Sequence, residues 1–103
     1  MVKSLENFQR FDKELKDAIR FAHALSLDLS RVHRKEDLPD VKKIVKIINN
    51  YHESCRYLQE ELECMIMIAN QVCETEITTN QAISSLDKIA DDIKQTRKNF
   101  KLS

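Results

Sequence analysis

Apolar residues recur at alternating steps of three and four along most of the chain. Between residues 41 and 100 they keep one heptad register, whose first positions include Ile48 and Leu62 and whose fourth positions include Leu58 and Met65. This spacing places the apolar side chains along one side of a helix, where helices pack side by side at shallow angles. The pattern therefore predicts an all-α protein with coiled-coil-like packing.

The first predicted helix spans about residues 4–31. It is followed by the only proline of the chain, Pro39. Proline disfavours the helical conformation in the preceding residue and suits the first turn of a new helix, for which Asp37 is the expected cap. The apolar side of the first helix is formed by Phe8, Phe11, Leu15, Ala18, Ala22, Leu25, Leu29 and Val32.

The second predicted helix spans about residues 39–74, because the heptad register continues through Asn49 and Asn50 without a shift. Residues 74–80 then contain three threonines, which are weak helix formers and good caps. We therefore expect a turn there and a third helix over about 79–101, giving an antiparallel three-helix bundle. The alternative is a helical hairpin whose second helix continues to residue 100. That helix would be about 90 Å long and would dimerise to cover its apolar side.

Length and composition are typical of one small folded domain covering residues 1–103. The chain is 42% hydrophobic and 33% charged, and it contains no glycine. The absence of glycine excludes the glycine-rich loops that hold phosphate groups. The helical bundle is therefore expected to carry its function on its surface.

Three cysteines, Cys55, Cys64 and Cys73, follow one another at intervals of nine residues. On one straight helix neighbouring cysteines would lie about 13 Å apart, too far to form a disulfide. This favours a reduced, intracellular and cytoplasmic setting. The chain has no run of 18 apolar residues, and its first residues lack the apolar segment of a signal peptide, so we expect neither a membrane span nor a secretory signal.

Catalytic and metal-binding patterns are weak. His52 and Cys55 lie one helical turn apart, but a zinc site needs further ligands and a cysteine nucleophile needs further supporting groups. His23 and His33 complete no metal-binding pair. The sequence therefore predicts a non-catalytic protein with no metal and no cofactor.

Residues 64–69, Cys-Met-Ile-Met-Ile-Ala, are apolar around the whole circumference of a helix. Two neighbouring helices would bury most of them but leave Cys64 and Met67 outside, with Tyr57 one heptad earlier and Glu60 beside them. Exposed methionine is adaptable and common at binding surfaces. The pattern predicts a partner-binding or self-association patch at Tyr57, Glu60, Cys64 and Met67. The alternative is that the first or third helix covers these residues, or that two scattered exposed apolar residues need no functional explanation.

Basic and acidic residues balance at 17 each, so no overall charge attracts nucleic acid. A local basic patch nevertheless surrounds the proline turn. It has no interleaved aromatic residues and contains three acidic residues, which weakens the case for nucleic-acid binding. Its members are Arg31, Arg34, Lys35, Lys42, Lys43 and Lys46.

Three functional hypotheses follow. The first is a structural or adaptor subunit that packs helix to helix with another helical protein or with itself as a homo-oligomer. The second is a small regulatory, inhibitory or effector protein that docks on an enzyme. The third and weakest is nucleic-acid binding through the basic patch.

Overall fold

A computed structural model describes the backbone of residues 2–102 and the side chains of residues 5–34 and 36–100. Within this part of the chain there is no strand, which confirms the predicted all-α class. A short 3-10 turn, Lys35–Asp37, joins the first two of four helices. The helices are α1 (Val2–Ser30), α2 (Leu38–Ser54), α3 (Gln59–Cys73) and α4 (Thr79–Leu102).

The prediction of one uninterrupted helix over residues 39–74 is wrong. Helix α2 ends at Ser54, and four non-helical residues, 55–58, precede α3. Neither the three-helix bundle nor the hairpin with one long second helix is therefore observed. The four residues contain neither glycine nor proline, so nothing in their local sequence stops a helix. Side chains of α1 hold the turn.

The four helices alternate in direction around one core. Ser26 Oγ donates to Asp87 Oδ1 (3.2 Å) near one end of α1, and Arg97 Nε donates to Asp12 Oδ1 (2.8 Å) near the other, so α1 and α4 run antiparallel. Helix α1 also packs on α2, α2 on α3, and α3 on α4. The result is an up-down-up-down four-helix bundle in which each helix has two main neighbours.

The predicted heptad positions face the core. In α3, Leu62, Met65, Ala69 and Val72 are all buried. Burial extends beyond the heptad positions, for example to Ile68, because a helix with two neighbours buries a wider side. The other buried apolar residues are Leu15, Ala18, Ala22, Leu25 and Leu29 in α1, Val41, Val45 and Ile48 in α2, Ala82, Leu86, Ala90 and Ile93 in α4, and Cys55 and Leu58 in the turn.

The turn between α1 and α2 is held by Asp37 in a way that the sequence analysis did not predict. Asp37 occupies the N-cap position of α2, but its side chain makes no capping bond there. Its carboxylate instead accepts hydrogen bonds from the backbone N–H groups of His33 (2.9 Å) and Arg34 (3.1 Å). These bonds lower the pKa of Asp37 from its ordinary value. The expected cap therefore stabilises the preceding turn.

The turn between α3 and α4 combines two capping structures. Thr75 has a positive φ of 60°, and Glu76 N–H donates to the Gln71 carbonyl (2.8 Å). This is the Schellman motif, in which glycine usually occupies the position of Thr75. A capping box then begins α4. Gln81 N–H donates to Thr78 Oγ1 (3.1 Å), and Thr78 N–H donates to Gln81 Oε1 (3.0 Å).

Candidate interaction surfaces

Among the residues whose side chains are described, Glu14 is the charged one that is buried, with only 3% of its surface exposed. Its Oε1 atom accepts hydrogen bonds from three successive backbone N–H groups of the α2–α3 turn: those of Arg56 (3.0 Å), Tyr57 (2.8 Å) and Leu58 (3.3 Å). Unpaired N–H groups at the start of a helix favour a negative charge. A side chain from α1 therefore supplies the N-terminal cap that α3 lacks in its own sequence.

Arg10 completes this arrangement at the end of α2. Its Nη2 atom donates to the Ser54 carbonyl (2.7 Å), and its Nε atom donates to Glu14 Oε2 (3.3 Å). A cation is favourable at the carbonyl end of a helix and an anion at the N–H end. Arg10 and Glu14 therefore stabilise the end of α2 and the start of α3 with one ion pair. We call this pair the turn clamp.

Burial and hydrogen bonding at the turn clamp shift the pKa values of Glu14 and of the adjacent Cys55. Burial alone would raise the pKa of Glu14, but hydrogen bonds from the turn N–H groups and from the Cys55 thiol outweigh burial, so the pKa lies below its ordinary value. The pKa of Cys55 moves in the opposite direction, to about 12, because the thiol is buried and lies beside the Glu14 carboxylate. A thiol that stays protonated is a poor nucleophile. His52, three residues before Cys55, pairs instead with Glu63 (Nε2 to Oε1, 3.0 Å).

Helices α1 and α4 are longer than the other two. They contain 29 and 24 residues, whereas α2 and α3 contain 17 and 15. The α2–α3 turn meets α1 at Glu14, so the first part of α1 and the last part of α4 extend past the ends of α2 and α3. We call this two-helix segment, about residues 5–8 and 97–100, the overhang.

Four aromatic rings meet where the overhang leaves the bundle. Phe8 stacks on Phe100 (centroids 4.4 Å apart), and Phe11 makes edge contacts with both Phe100 (4.8 Å) and Tyr57 (5.4 Å). These four residues and Asn7 line an open cleft of about 380 Å³. Phe8 is 43% exposed and Tyr57 40% exposed. This aromatic cleft is an apolar surface that no helix of the described chain covers.

The sequence-predicted patch is divided by the fold. Tyr57 lies in the turn before α3 and lines the aromatic cleft, because the helix expected to place it beside Cys64 is interrupted. Glu60 and Cys64 lie together on α3, both exposed, in a groove of about 280 Å³ against α4. Met67 is 53% exposed and follows Cys64 by three residues, which places it on the same side of α3. Three of the four predicted residues therefore share one surface.

The basic patch is spread over the α1–α2 connection and one end of α2. Arg31 and Lys43 line a shallow pocket together with Asp28, Asp37 and Asp40, so acidic groups lie among the cations. The remaining members with described side chains, Arg34, Lys42 and Lys46, are exposed, and the side chain of Lys35 lies outside the described residues.

Sequence reasoning assigned Phe8, Phe11 and Phe100 to the helix-packing sides and did not recognise the cleft that they form. It also missed Glu14. A signal for Glu14 was present: it lies three residues after Phe11 and four before Ala18, in the middle of the apolar side of α1. A charged residue in that position needs a partner if it is to be buried.

Comparison with models of known protein families found no match, and comparisons with curated proteins and with solved structures found none either. Within residues 2–102, no helix is long and apolar enough to cross a bilayer. No group of three or more His, Cys, Asp or Glu side chains in the described part of the chain is arranged to hold a metal ion. The aromatic cleft therefore stands as the candidate site on its own geometry.

Proposed function

We propose that this protein is a non-catalytic interaction module that packs helix to helix with another helical protein or with a second copy of itself. The aromatic cleft is the observation that carries this proposal. It exposes Phe8 and Tyr57 in one concave surface, and aromatic side chains supply much of the binding energy at the centres of protein interfaces.

The position of the cleft indicates the form of its partner. The cleft lies at the point where α2 and α3 turn back and α1 and α4 continue without them. The space beside the overhang is thus the continuation of the space that α2 and α3 occupy in the bundle. An amphipathic helix that enters it would extend the bundle packing and place apolar side chains on Phe8 and Phe100.

Substitution of Phe8 by Asp tests this function, with Leu27→Asp as the matched control. Both residues are exposed apolar residues of α1, at 43% and 52%, but only Phe8 lines the cleft. We expect Phe8→Asp to lower partner binding or self-association at least tenfold, since a charge at the centre of an interface is left without hydration. Leu27→Asp is expected to leave binding unchanged.

Two measurements compare the Phe8 and Leu27 variants. Light scattering after size-exclusion chromatography, over a wide concentration range, measures self-association of each variant. A photo-reactive phenylalanine analogue placed at Phe8 or at Leu27 in the cells that make the protein identifies covalently captured partners by mass spectrometry. Capture of a specific helical protein from Phe8 alone supports the proposal. Equal capture from both positions, together with equal self-association of both Asp variants, contradicts it.

A further inference from the structure

The α2–α3 turn has an unusual relation to the heptad pattern around it. Cys55 occupies a first heptad position and Leu58 a fourth, continuing the register of Ile48 in α2 into Leu62 in α3 without insertion or deletion. The four residues of the turn include no glycine and no proline, and arginine and leucine are good helix formers. The local sequence is therefore also compatible with one continuous helix over residues 38–73.

The backbone groups of the turn are satisfied by side chains. Glu14 accepts the three N–H groups of residues 56–58, Arg10 binds the Ser54 carbonyl, and Gln59 Nε2 donates to the Cys55 carbonyl (2.8 Å). In a continuous helix the same groups would bond to one another; Leu58 N–H, for example, would donate to the Ser54 carbonyl. Turn and helix thus satisfy the same backbone groups, and the turn clamp selects the turn.

A continuous helix would separate the chain into two hairpins. The α1–α2 hairpin and the α3–α4 hairpin would lie at opposite ends of a helix about 54 Å long, and each would expose the apolar side that it buries in the bundle. A second copy of the chain carries the missing half of each bundle. Exchange of identical elements between chains requires no new contact surface, because the buried apolar sides of the helices regain their partners from the other copy.

We propose that two copies of this chain form a domain-swapped dimer in which residues 38–73 become one helix and the α3–α4 hairpins are exchanged. The α1–α4 and α2–α3 interfaces become intermolecular, and the turn clamp opens. The proposal concerns the hinge, residues 55–58, and is argued from the turn clamp; Tyr57 belongs to both the hinge and the aromatic cleft. The partner is specified by the fold itself: only this sequence supplies the complementary half.

A cross-link between α1 and α4 distinguishes exchange from simple surface association. Ser26 and Asp87, whose side chains lie 3.2 Å apart, are replaced by cysteine in a chain whose native cysteines carry Cys55→Ala, Cys64→Ser and Cys73→Ser. The protein is refolded at high concentration, and monomer and dimer fractions are separated and treated with a short bis-maleimide. We expect cross-links within one chain in the monomer fraction and between chains in the dimer fraction on a denaturing gel.

Substitutions at the hinge and at the turn clamp should change the dimer association constant in a defined direction. Glu14→Gln removes the charge that holds the turn N–H groups and should raise the dimer association constant at least tenfold. Tyr57→Ala and Tyr57→Gly form a matched pair that leaves Glu14 in place. Both remove the same ring, but alanine favours the helix and glycine does not. The dimer association constant of Tyr57→Ala should therefore exceed that of Tyr57→Gly by about fivefold for each of the two hinges.

The cross-linking and hinge experiments have different outcomes with and without domain exchange. Interchain cross-links confined to the dimer fraction, with more dimer in Tyr57→Ala than in Tyr57→Gly, support exchange. A dimer fraction with only intrachain cross-links overturns it, as does the absence of dimer in all variants that remain helical and folded. The cross-link between α1 and α4 reports exchange, and the comparison of Phe8 with Leu27 reports binding at the cleft, so failure of one proposal is distinguishable from failure of the other.

Discussion

Glu14 is a charged residue that the bundle buries because its hydrogen bonds replace the water that it loses. A carboxylate that accepts several N–H groups is favoured over its protonated form, whereas burial favours the neutral form. In this site the hydrogen bonds are the stronger effect, and the pKa of Glu14 is lowered. The residue therefore stabilises the fold only while it is charged.

Substitution of Glu14 by Gln should lower the free energy of unfolding by about 2–3 kcal/mol at neutral pH, because buried N–H groups lose a charged acceptor. Urea denaturation followed by circular dichroism measures this difference. Glu6→Gln is the control: Glu6 is an exposed residue of the same helix, and its substitution should have almost no effect. Equal effects of the two substitutions would contradict the role assigned to Glu14.

The pH dependence of this difference has a defined sign. The lowered pKa means that the stabilisation by Glu14 is fully present above the ordinary carboxyl pKa of 4.5 and is lost as the pH falls through the pKa of the folded state. The stability of the parent protein and that of Glu14→Gln should therefore converge as the pH falls through the lowered pKa of Glu14. A stability difference that does not change with pH in the acid range would assign it to packing.

At the level of helices, the heptad pattern predicted which sides are buried but not where one helix ends. The register is the same on both sides of the α2–α3 turn, so residues such as Leu58 and Leu62 occupy core positions whether or not the helix is continuous. The position of the turn depends on Glu14, which lies more than 40 residues earlier in the sequence. A contact of this length leaves no local signal, which is why the sequence indicated three helices.

The α3–α4 turn was easier to predict because its signals are local. Threonines and a polar interruption of the heptads mark it in the sequence, and α4 begins at Thr79. The aromatic cleft was harder. The spacing of Phe8 and Phe11 indicates an apolar side of α1, but whether that side is covered depends on the lengths of α2 and α3.

Substitution by glycine should change the free energy of unfolding in opposite directions at two threonines of the α3–α4 turn. Thr75 has a positive φ, which is unfavourable for a β-branched residue, so Thr75→Gly should raise the free energy of unfolding by about 1 kcal/mol. Thr78→Gly removes the capping hydroxyl of α4 and should lower it, by at most about 2 kcal/mol. Thermal unfolding of the two variants checks the signs. Destabilisation by both would count against the backbone argument for Thr75.

On the scale of the whole molecule, the bundle is a short rod. Its Cα atoms extend over 52 × 24 × 18 Å with a radius of gyration of 14.6 Å. A compact domain of this length would have a radius of gyration of about 13 Å. The overhang of α1 and α4 accounts for the elongation, since these helices continue beyond the four-helix part.

Small-angle X-ray scattering can separate the possible assemblies. A freshly prepared dilute sample should give a radius of gyration slightly above that of the Cα atoms, because side chains and bound water add to it. A swapped dimer would be markedly larger, since its two bundles lie along the two halves of a helix about 54 Å long. A dilute monomeric sample that scatters as a much longer particle would be inconsistent with the closed bundle.

The order of Glu14 and its turn along the chain has a consequence for biosynthesis. Synthesis proceeds from the N-terminus, so the residue that stops α2 has left the ribosome before residues 55–58 are joined to the nascent polypeptide. Glu14 can therefore bind the N–H groups of the α2–α3 turn as that turn emerges, within the same molecule and before a neighbouring polypeptide can compete. Synthesis from the N-terminus thereby favours the closed monomer over the domain-swapped dimer.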